Sequence, residues 1–456
     1  MANSYLNRTN GSAATLNTKY TISVWLKRSD LQRGGGSKYG YIISYDAGGN
    51  ARTHLRFGDS DDKLTWYIRQ GSTATSLTTN REFRDSSAFY HFVFAYDSTQ
   101  GTASNRQKIY VNGTQETSFS SSEYVAQNID SPLSTNGNTF KIGSFGGTPY
   151  TGAYFGGYMS HFAFVDGQAL TPTSFGETDA TSGIWKFKSP SGITWGNNGY
   201  HLKFENSAAL GTDSSGNSNT FTVNGNLKQA VDTPSNVYAT LNRLVNNNSN
   251  LVLSNGNNTM TLGSTSWIGT LGSLGVDTGK WYWEVKVDAN NLMHGILGET
   301  ANITELSTSN SGYIGKFSNG YAFYYQSPTA RKQNNNSHAN YGTAPSSGDI
   351  LMVAFDATNG TIWVGKNGSW FNSATQSEIE NGTTSNSMYS SIPMTETFFP
   401  ATCGETNHVA KYNFGNGFFG TTAITSAGSN GNGSLFEYDV PSGYYALNTK
   451  NINTYG

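Results

Sequence analysis

Asp277-Thr-Gly-Lys-Trp-Tyr-Trp-Glu-Val-Lys-Val287 is the stretch on which the fold turns. A Gly-Lys turn opens it. Then Trp281, Trp283, Val285 and Val287 alternate with Tyr282, Glu284 and Lys286. A period of two marks a strand with one buried face. Two Trp side chains on that face form a large apolar anchor. A second segment answers it: Gly348-Asp-Ile-Leu-Met-Val-Ala-Phe-Asp356, a turn over 356–360, Thr361-Ile-Trp-Val364, then Gly365-Lys-Asn-Gly-Ser-Trp370. Asn367-Gly368 signals a two-residue type I′ hairpin, because both residues tolerate positive φ. The centre of the second half therefore reads as a β-meander with a Trp-rich core.

The first half follows the same grammar. Tyr20-Thr-Ile-Ser-Val-Trp-Leu-Lys27 alternates and starts a separate core. His91-Phe-Val-Phe-Ala-Tyr-Asp97 is a buried strand ending in Asp. Lys108-Ile-Tyr-Val-Asn-Gly113 is its hairpin partner, and 155–164 closes the domain. The halves echo each other, since in each a buried strand ends in Asp and its partner in Asn-Gly. No window carries a sustained 3.6-residue period with helix caps. The expected fold class is all-β: two antiparallel β-sandwiches of jelly-roll type, over 1–182 and 245–456. A turn-rich bridging segment, 183–244, joins them.

Composition narrows the function. The chain has 456 residues, room for two or three domains. Charged residues make up 13%, against about 25% in an average globular protein. Solubility therefore rests on neutral Asn, Ser, Thr and Gly. With a net charge of −2, no basic stripe is expected to meet nucleic acid or an anionic membrane. Cys403 is the one cysteine, so no internal disulfide framework can form. Residues 1–8 lack the pattern of a secretory signal, and no apolar run approaches a membrane span.

Three resemblances emerge from motifs in order. Gly279-Lys-Trp-Tyr-Trp-Glu284, Gly348-Asp349, Thr361-Ile-Trp363, Lys366-Asn-Gly-Ser-Trp370 and Asn413-Phe-Gly415 resemble the SPRY β-sandwiches across most of 250–415. Thr21-Ile-Ser-Val-Trp25, 91–97, Ile109-Tyr-Val-Asn-Gly113 and Gly156-Gly-Tyr-Met-Ser-His-Phe162 resemble the laminin-G/concanavalin-A-like jelly roll over about 1–180. The segment Tyr200-His-Leu-Lys-Phe204, Leu210-Gly-Thr-Asp-Ser-Ser-Gly-Asn217, Asp232-Thr-Pro234 resembles one in structural proteins of marine bacteriophages. There it joins a jelly roll to an SPRY-like module. The implied protein is displayed on a virion, as a tail fibre or appendage or as capsid decoration. It is made in the host cytoplasm and released by lysis. The implied partners are other virion proteins, further copies of the chain and a host-surface glycan. Tyr150–Tyr158 and Phe414–Phe419 are the stretches expected to supply apolar contact between copies.

Catalytic constellations are scarce. Jelly-roll glycosidases need two carboxylates roughly 5–10 Å apart. Glu284 and Asp288 stand at i and i+4, but Glu284 lies where an SPRY-like strand carries Glu without catalysis, and Glu378 and Glu380 stand at i and i+2 in an Asn/Ser/Thr-rich loop context. The expected protein is not an enzyme, with a jelly-roll hydrolase or depolymerase as the competing class. His91 and His161 read as satisfied polar groups, and no His or Cys spacing suits zinc. The laminin-G resemblance implies a possible calcium site on rim loops, with Asp97, Asp46 and Asp166 as candidates. Asp forming its own turn is the plainer reading of each.

Sugar binding suits the composition best, since aromatic faces beside amides match a pyranose. Tyr324, Arg331 and Asn334 form one candidate group, and Trp370 with Asn372 forms the other. Trp281, Trp283 and Trp363 are assigned to the core by alternation.

Overall fold

The computed structural model describes residues 4–31, 39–47, 51–146, 153–245, 248–263, 266–288, 291–308, 312–405 and 408–456. The chain forms two compact units, Met1–Gln229 and Ala230–Gly456. Both are β-sandwiches built from antiparallel sheets. Among the described residues the α-helices are Ile303–Thr308, Gln376–Glu380 and Thr449–Tyr455, each two turns or fewer. No helix among them is long and apolar enough to cross a membrane.

In the first unit one sheet runs Phe119–Ser122, Thr73–Glu82, Lys63–Gln70, Ala51–Phe57, Gly40–Asp46, Thr139–Ile142, Tyr5–Thr9, Thr222–Asn224. The facing sheet runs Tyr200–Leu202, Gly157–Asp166, Lys19–Arg28, Tyr90–Asp97, Gln107–Val111, Thr114–Glu116. Alternation sends Tyr20, Ile22, Val24 and Leu26 of one sheet and Leu55, Leu64, Trp66 and Ile68 of the other into a shared core. One ion pair is sealed near that core: Arg28 meets Asp62 at 2.9 Å with neither side chain more than 1% exposed.

The sequence-derived bridge, 183–244, is divided between the units. Tyr200–Leu202 and Thr222–Asn224 extend the two sheets of the first sandwich. Tyr200 and Phe221 enter its core. Asp213 holds the turn between them, accepting from the amides of His201, Ser215 and Asn219 at 2.8–2.9 Å. Past Gln229 the chain belongs to the second unit, where Ala239 and Leu241 are core residues. Apolar anchors in a turn-rich stretch thus draw it into the flanking sandwiches.

In the second unit one sheet runs Leu251–Ser254, Thr259–Leu262, Val409–Asn413, Lys280–Val287, Ile350–Asp356, Thr361–Lys366, Ser369–Trp370. The other runs Ile268–Leu271, Phe398–Gly404, Leu292–Gly298, Gly320–Gln326, Thr329–Asn334, Ser337–Asn340. Trp281, Trp283, Val285 and Val287 fill the core as their alternation requires. Asn367 and Gly368 both have positive φ, 50° and 82°, as a type I′ turn demands.

Alternation alone leaves the other face of Lys280–Val287 exposed, yet Tyr282 and Glu284 are fully buried. The C-terminal return covers them: Tyr282, Met352, Ala354 and Trp363 pack with Phe436, Val440, Tyr444 and Ala446. Trp363 is core, but of this outer layer. The same packing logic removes Phe414–Phe419 as an apolar contact surface, because Phe414 and Phe419 point inward at 0% and 2% exposure. Of the stretch Tyr150–Tyr158, residues 150–152 lie outside the described residues.

Candidate functional site: an aromatic shelf on the second sandwich

In Gly320–Gln326, alternation places Phe323 and Tyr325 in the core and turns Tyr324 outward. The register sets Arg331 directly across from Tyr324 on the neighbouring strand. The Arg331 guanidinium lies over the Tyr324 ring, 5.7 Å from its centroid. Trp267 packs edge-on to Tyr324 at 5.7 Å, and Tyr313 tilts against Trp267 at 5.5 Å. The floor is apolar, with Met293, Ala322, Ile314 and Cys403 among its residues. Burial pushes the Cys403 thiol up to about 12, so it is an inert packing group.

Both tyrosines keep an exposed polar edge. The Tyr324 hydroxyl donates to Oε1 of Gln326 at 3.1 Å, and the Tyr313 hydroxyl to Oδ1 of Asn336 at 2.8 Å. Trp267, Tyr313, Tyr324 and Arg331 are all half-buried. The Arg331 Nε is buried with no hydrogen-bond partner, and Arg331 forms no ion pair among the described residues. Burial raises the Tyr324 pKa, and nearby Glu405 raises it further while Arg331 opposes. The shelf therefore offers aromatic faces, neutral polar edges and a guanidinium with donors to spare. That combination suits a hydroxylated ring, whose apolar face stacks while its edge accepts hydrogen bonds.

Tyr324 and Arg331 are thus brought together, and the other candidates are not. Asn334 spends its amide on the carbonyls of Ser318 and Gly320, both at 2.9 Å, bracing the turn before the Tyr324 strand. Trp370 lies on the outer face of the opposite sheet, 6.4 Å from Tyr282 beneath the C-terminal return. Asn372 adopts φ 54° and accepts from the Gly342 amide at 3.2 Å. The two loops belong to different sheets, so they build no joint surface. Trp267 and Tyr313 were missed by sequence reasoning. The available signal was a single aromatic amid Ser, Thr and Gly, where no local apolar pattern calls for a ring.

The calcium candidates carry partners of their own. Burial pushes Asp97 up, but hydrogen bonds from Thr99 and Gln100 and the Lys19 ammonium at 3.2 Å outweigh it and hold its carboxyl low. Asp46 meets Arg52 at 3.0 Å. One oxygen of Asp166 accepts from the Thr15 and Asn198 amides, and the other is buried without a partner. Among the described residues no three His, Cys, Asp or Glu side chains gather as a metal would require.

The acids weighed for catalysis are also engaged. Glu284 is fully buried and accepts four hydrogen bonds. Asp288 pairs with Lys411 at 2.8 Å. Glu378 caps its helix through Thr375, and Glu380 accepts from the Ser442 amide at 2.7 Å. Of the two His residues, His91 has both ring nitrogens satisfied, by Ser23 and Trp185. His161 instead stacks on Phe187 at 3.7 Å with its Nδ1 buried and unpartnered.

Residues 2–174 match the Laminin_G_3 family model, described as the concanavalin A-like lectin/glucanases superfamily. That description covers lectins and glucanases alike. No curated protein matches the chain. Among solved structures, the chain is similar to the SPRY domain of human HERC1. Identity is 15% and the TM-score 0.27, over 36% of this chain and 91% of that one. It is also similar to the PSpry domain of TRIM65, at 12% identity and TM-score 0.29, over 38% of this chain and 91% of that one.

Proposed function

We propose that the chain is a non-enzymatic adhesin that binds surface glycans through the shelf of Trp267, Tyr313, Tyr324 and Arg331. The observation that carries this reading is the convergence of three half-buried rings and an unpaired guanidinium on one outer sheet face. Rings that leave a face toward solvent give up hydrophobic burial that a stacked sugar restores. The engagement of Glu284, Asp288, Glu378 and Glu380 in structural contacts favours binding over hydrolysis.

In this reading the chain is displayed on a virion, as a tail fibre, appendage or capsid decoration, assembled with other virion proteins and with its own copies. The low-charge, Gly- and Tyr-rich composition supports display, and the bridging-segment motifs support the virion setting. The test is a glycan array probed with the full chain and with Trp267→Ala and Tyr324→Ala variants. Retention of a defined glycan set, lost in both variants, is expected. Equal retention by the variants, or hydrolysis of the bound glycan, overturns the reading.

A further inference from the structure

The outer sheet face of the first unit has a charge character the chain as a whole lacks. The alternation that sends Leu55, Phe57, Leu64, Trp66 and Ile68 inward turns Arg52, His54, Arg56, Tyr67 and Arg69 outward. The register puts Arg52 directly across from Arg69, and His54 across from Tyr67. Like charges directly opposite on neighbouring strands repel. Asp46 answers Arg52 at 3.0 Å. Among the described residues Arg69 reaches only the Gly71 carbonyl, at 3.3 Å.

Arg56 has no carboxylate among the described residues. Its guanidinium stacks on Tyr39, 3.6 Å from the ring centroid, and its Nε and Nη1 are buried without hydrogen-bond partners. Beside it His54 is 4% exposed, stacked on Tyr67 at 4.7 Å and edge-on to Tyr41 at 5.3 Å. Both its ring nitrogens are buried and unpartnered. Burial, then Arg56 and Arg52, hold its pKa well below 6.5, so the ring is neutral. Three guanidiniums, two of them without a carboxylate among the described residues, leave cationic donors in excess, and the neutral imidazole beside them adds one unpartnered donor and one unpartnered acceptor. Buried donors without acceptors are costly, and an anion bound at the half-buried Arg52, Arg56 and Arg69 side chains offsets this excess of positive charge.

We propose that this face binds an acidic oligosaccharide, its carboxylate or sulfate groups held by Arg56 at one end and by the Arg52–Arg69 pair at the other, with a sugar ring across Tyr67. Arg52 and Arg56 are four residues apart on one strand, about 13 Å at ~3.3 Å per residue. No single carboxylate spans that, so the ligand must be oligomeric. Planar guanidiniums already packed against rings bind such groups bidentately with little further ordering. The residues are distinct from those of the shelf, so either site can fail without the other.

The test is affinity electrophoresis of the full chain through gels holding oligouronate, dextran sulfate or neutral dextran. Retardation by an acidic polymer and not by dextran is expected. Uronate alone, sulfate alone, or both identify the acid recognised. Arg56→Gln and Arg69→Gln should each weaken retention about tenfold, the loss of one charge-assisted contact. Tyr324→Ala should leave it unchanged. Thermal melts matching the unaltered chain show that a variant is folded, and Arg69→Lys, which keeps the charge but not the fork, should fall between. Equal retardation by neutral dextran, undiminished binding in folded Arg56→Gln and Arg69→Gln chains, or loss with Tyr324→Ala instead, overturns the proposal.

Discussion

The backbone amide of Tyr438 donates to Oε1 of Glu284 at 2.8 Å, tying the C-terminal return to the central strand of the second sandwich. The Glu437 amide donates to the other oxygen at 2.9 Å, and Tyr282 and Asn413 add side-chain donors. Burial pushes this carboxyl up to about 7, although the four donors pull it down. A folded pKa above the unfolded value of about 4.3 fixes the sign. The contribution is complete below the unfolded pKa and is lost as pH rises through about 7. Amide protection over residues 434–447, corrected for the intrinsic rise of exchange with pH, should therefore fall as pH rises from about 4.3 to about 7 and then level off. Glu284→Gln should remove that pH dependence, and unchanged dependence in the variant would assign it to another group.

His91 gives the opposite sign in the first sandwich. Trp185 Nε1 donates to its Nδ1 at 2.9 Å, so the ring proton sits on Nε2 and points at Ser23 Oγ, 2.8 Å away. The imidazole is thus no base toward Ser23. Burial lowers its pKa to about 3. A depressed folded pKa contributes stability above about 6.5 that is lost as pH falls toward 3. Tryptophan fluorescence should report loosening as the chain is acidified from pH 6 to 4. His91→Leu should lower stability at neutral pH but flatten the acid slope. An unchanged slope would place the acid sensitivity elsewhere.

These two networks mark how much of the fold the sequence disclosed. Trp281 and Trp283 were legible as core because strand period is a local property. The burial of Tyr282 and Glu284 was not, because their cover arrives from Phe436 to Ala446, far along the chain. The site divides in the same way. Tyr324 and Arg331 could be named from a hairpin, but their meeting with Trp267 and Tyr313 depends on segments that tertiary packing brings together. Asn334 had the right chemistry for a ligand contact, but the fold spends its amide on the backbone carbonyls of Ser318 and Gly320.

Arg28 and Asp62 offer a stability prediction for the first sandwich. The pair is sealed, and Arg28 also donates to the Phe83 carbonyl at 2.6 Å and lies over Phe57 at 4.2 Å. Asp62→Ala leaves the guanidinium buried without its paired carboxylate, with only the Asp30 charge still acting on it. Such a loss costs about 3–5 kcal/mol, read as a lower urea midpoint for that unit. A loss under about 1 kcal/mol, the scale of an exposed pair, would mean that water reaches Arg28.

Tyr324 and Trp370, the aromatic residues of the two sequence-derived candidate groups, have different roles. Trp370 packs beneath the C-terminal return beside Tyr282 and Tyr438, so its ring is a structural contact. Tyr324 and Trp267 leave the outer face of the opposite sheet half open. Trp370→Ala should therefore lower the melting temperature and leave glycan retention intact at temperatures where the chain is folded. Tyr324→Ala should do the reverse, weakening retention by about 1–2 kcal/mol, the scale of one aromatic stacking contact, while moving the melt little. Arg331→Gln should act with Tyr324→Ala and be less than additive, since the two side chains touch and share one ligand edge. Retention lost through Trp370→Ala in a folded chain would move the site to the other sheet.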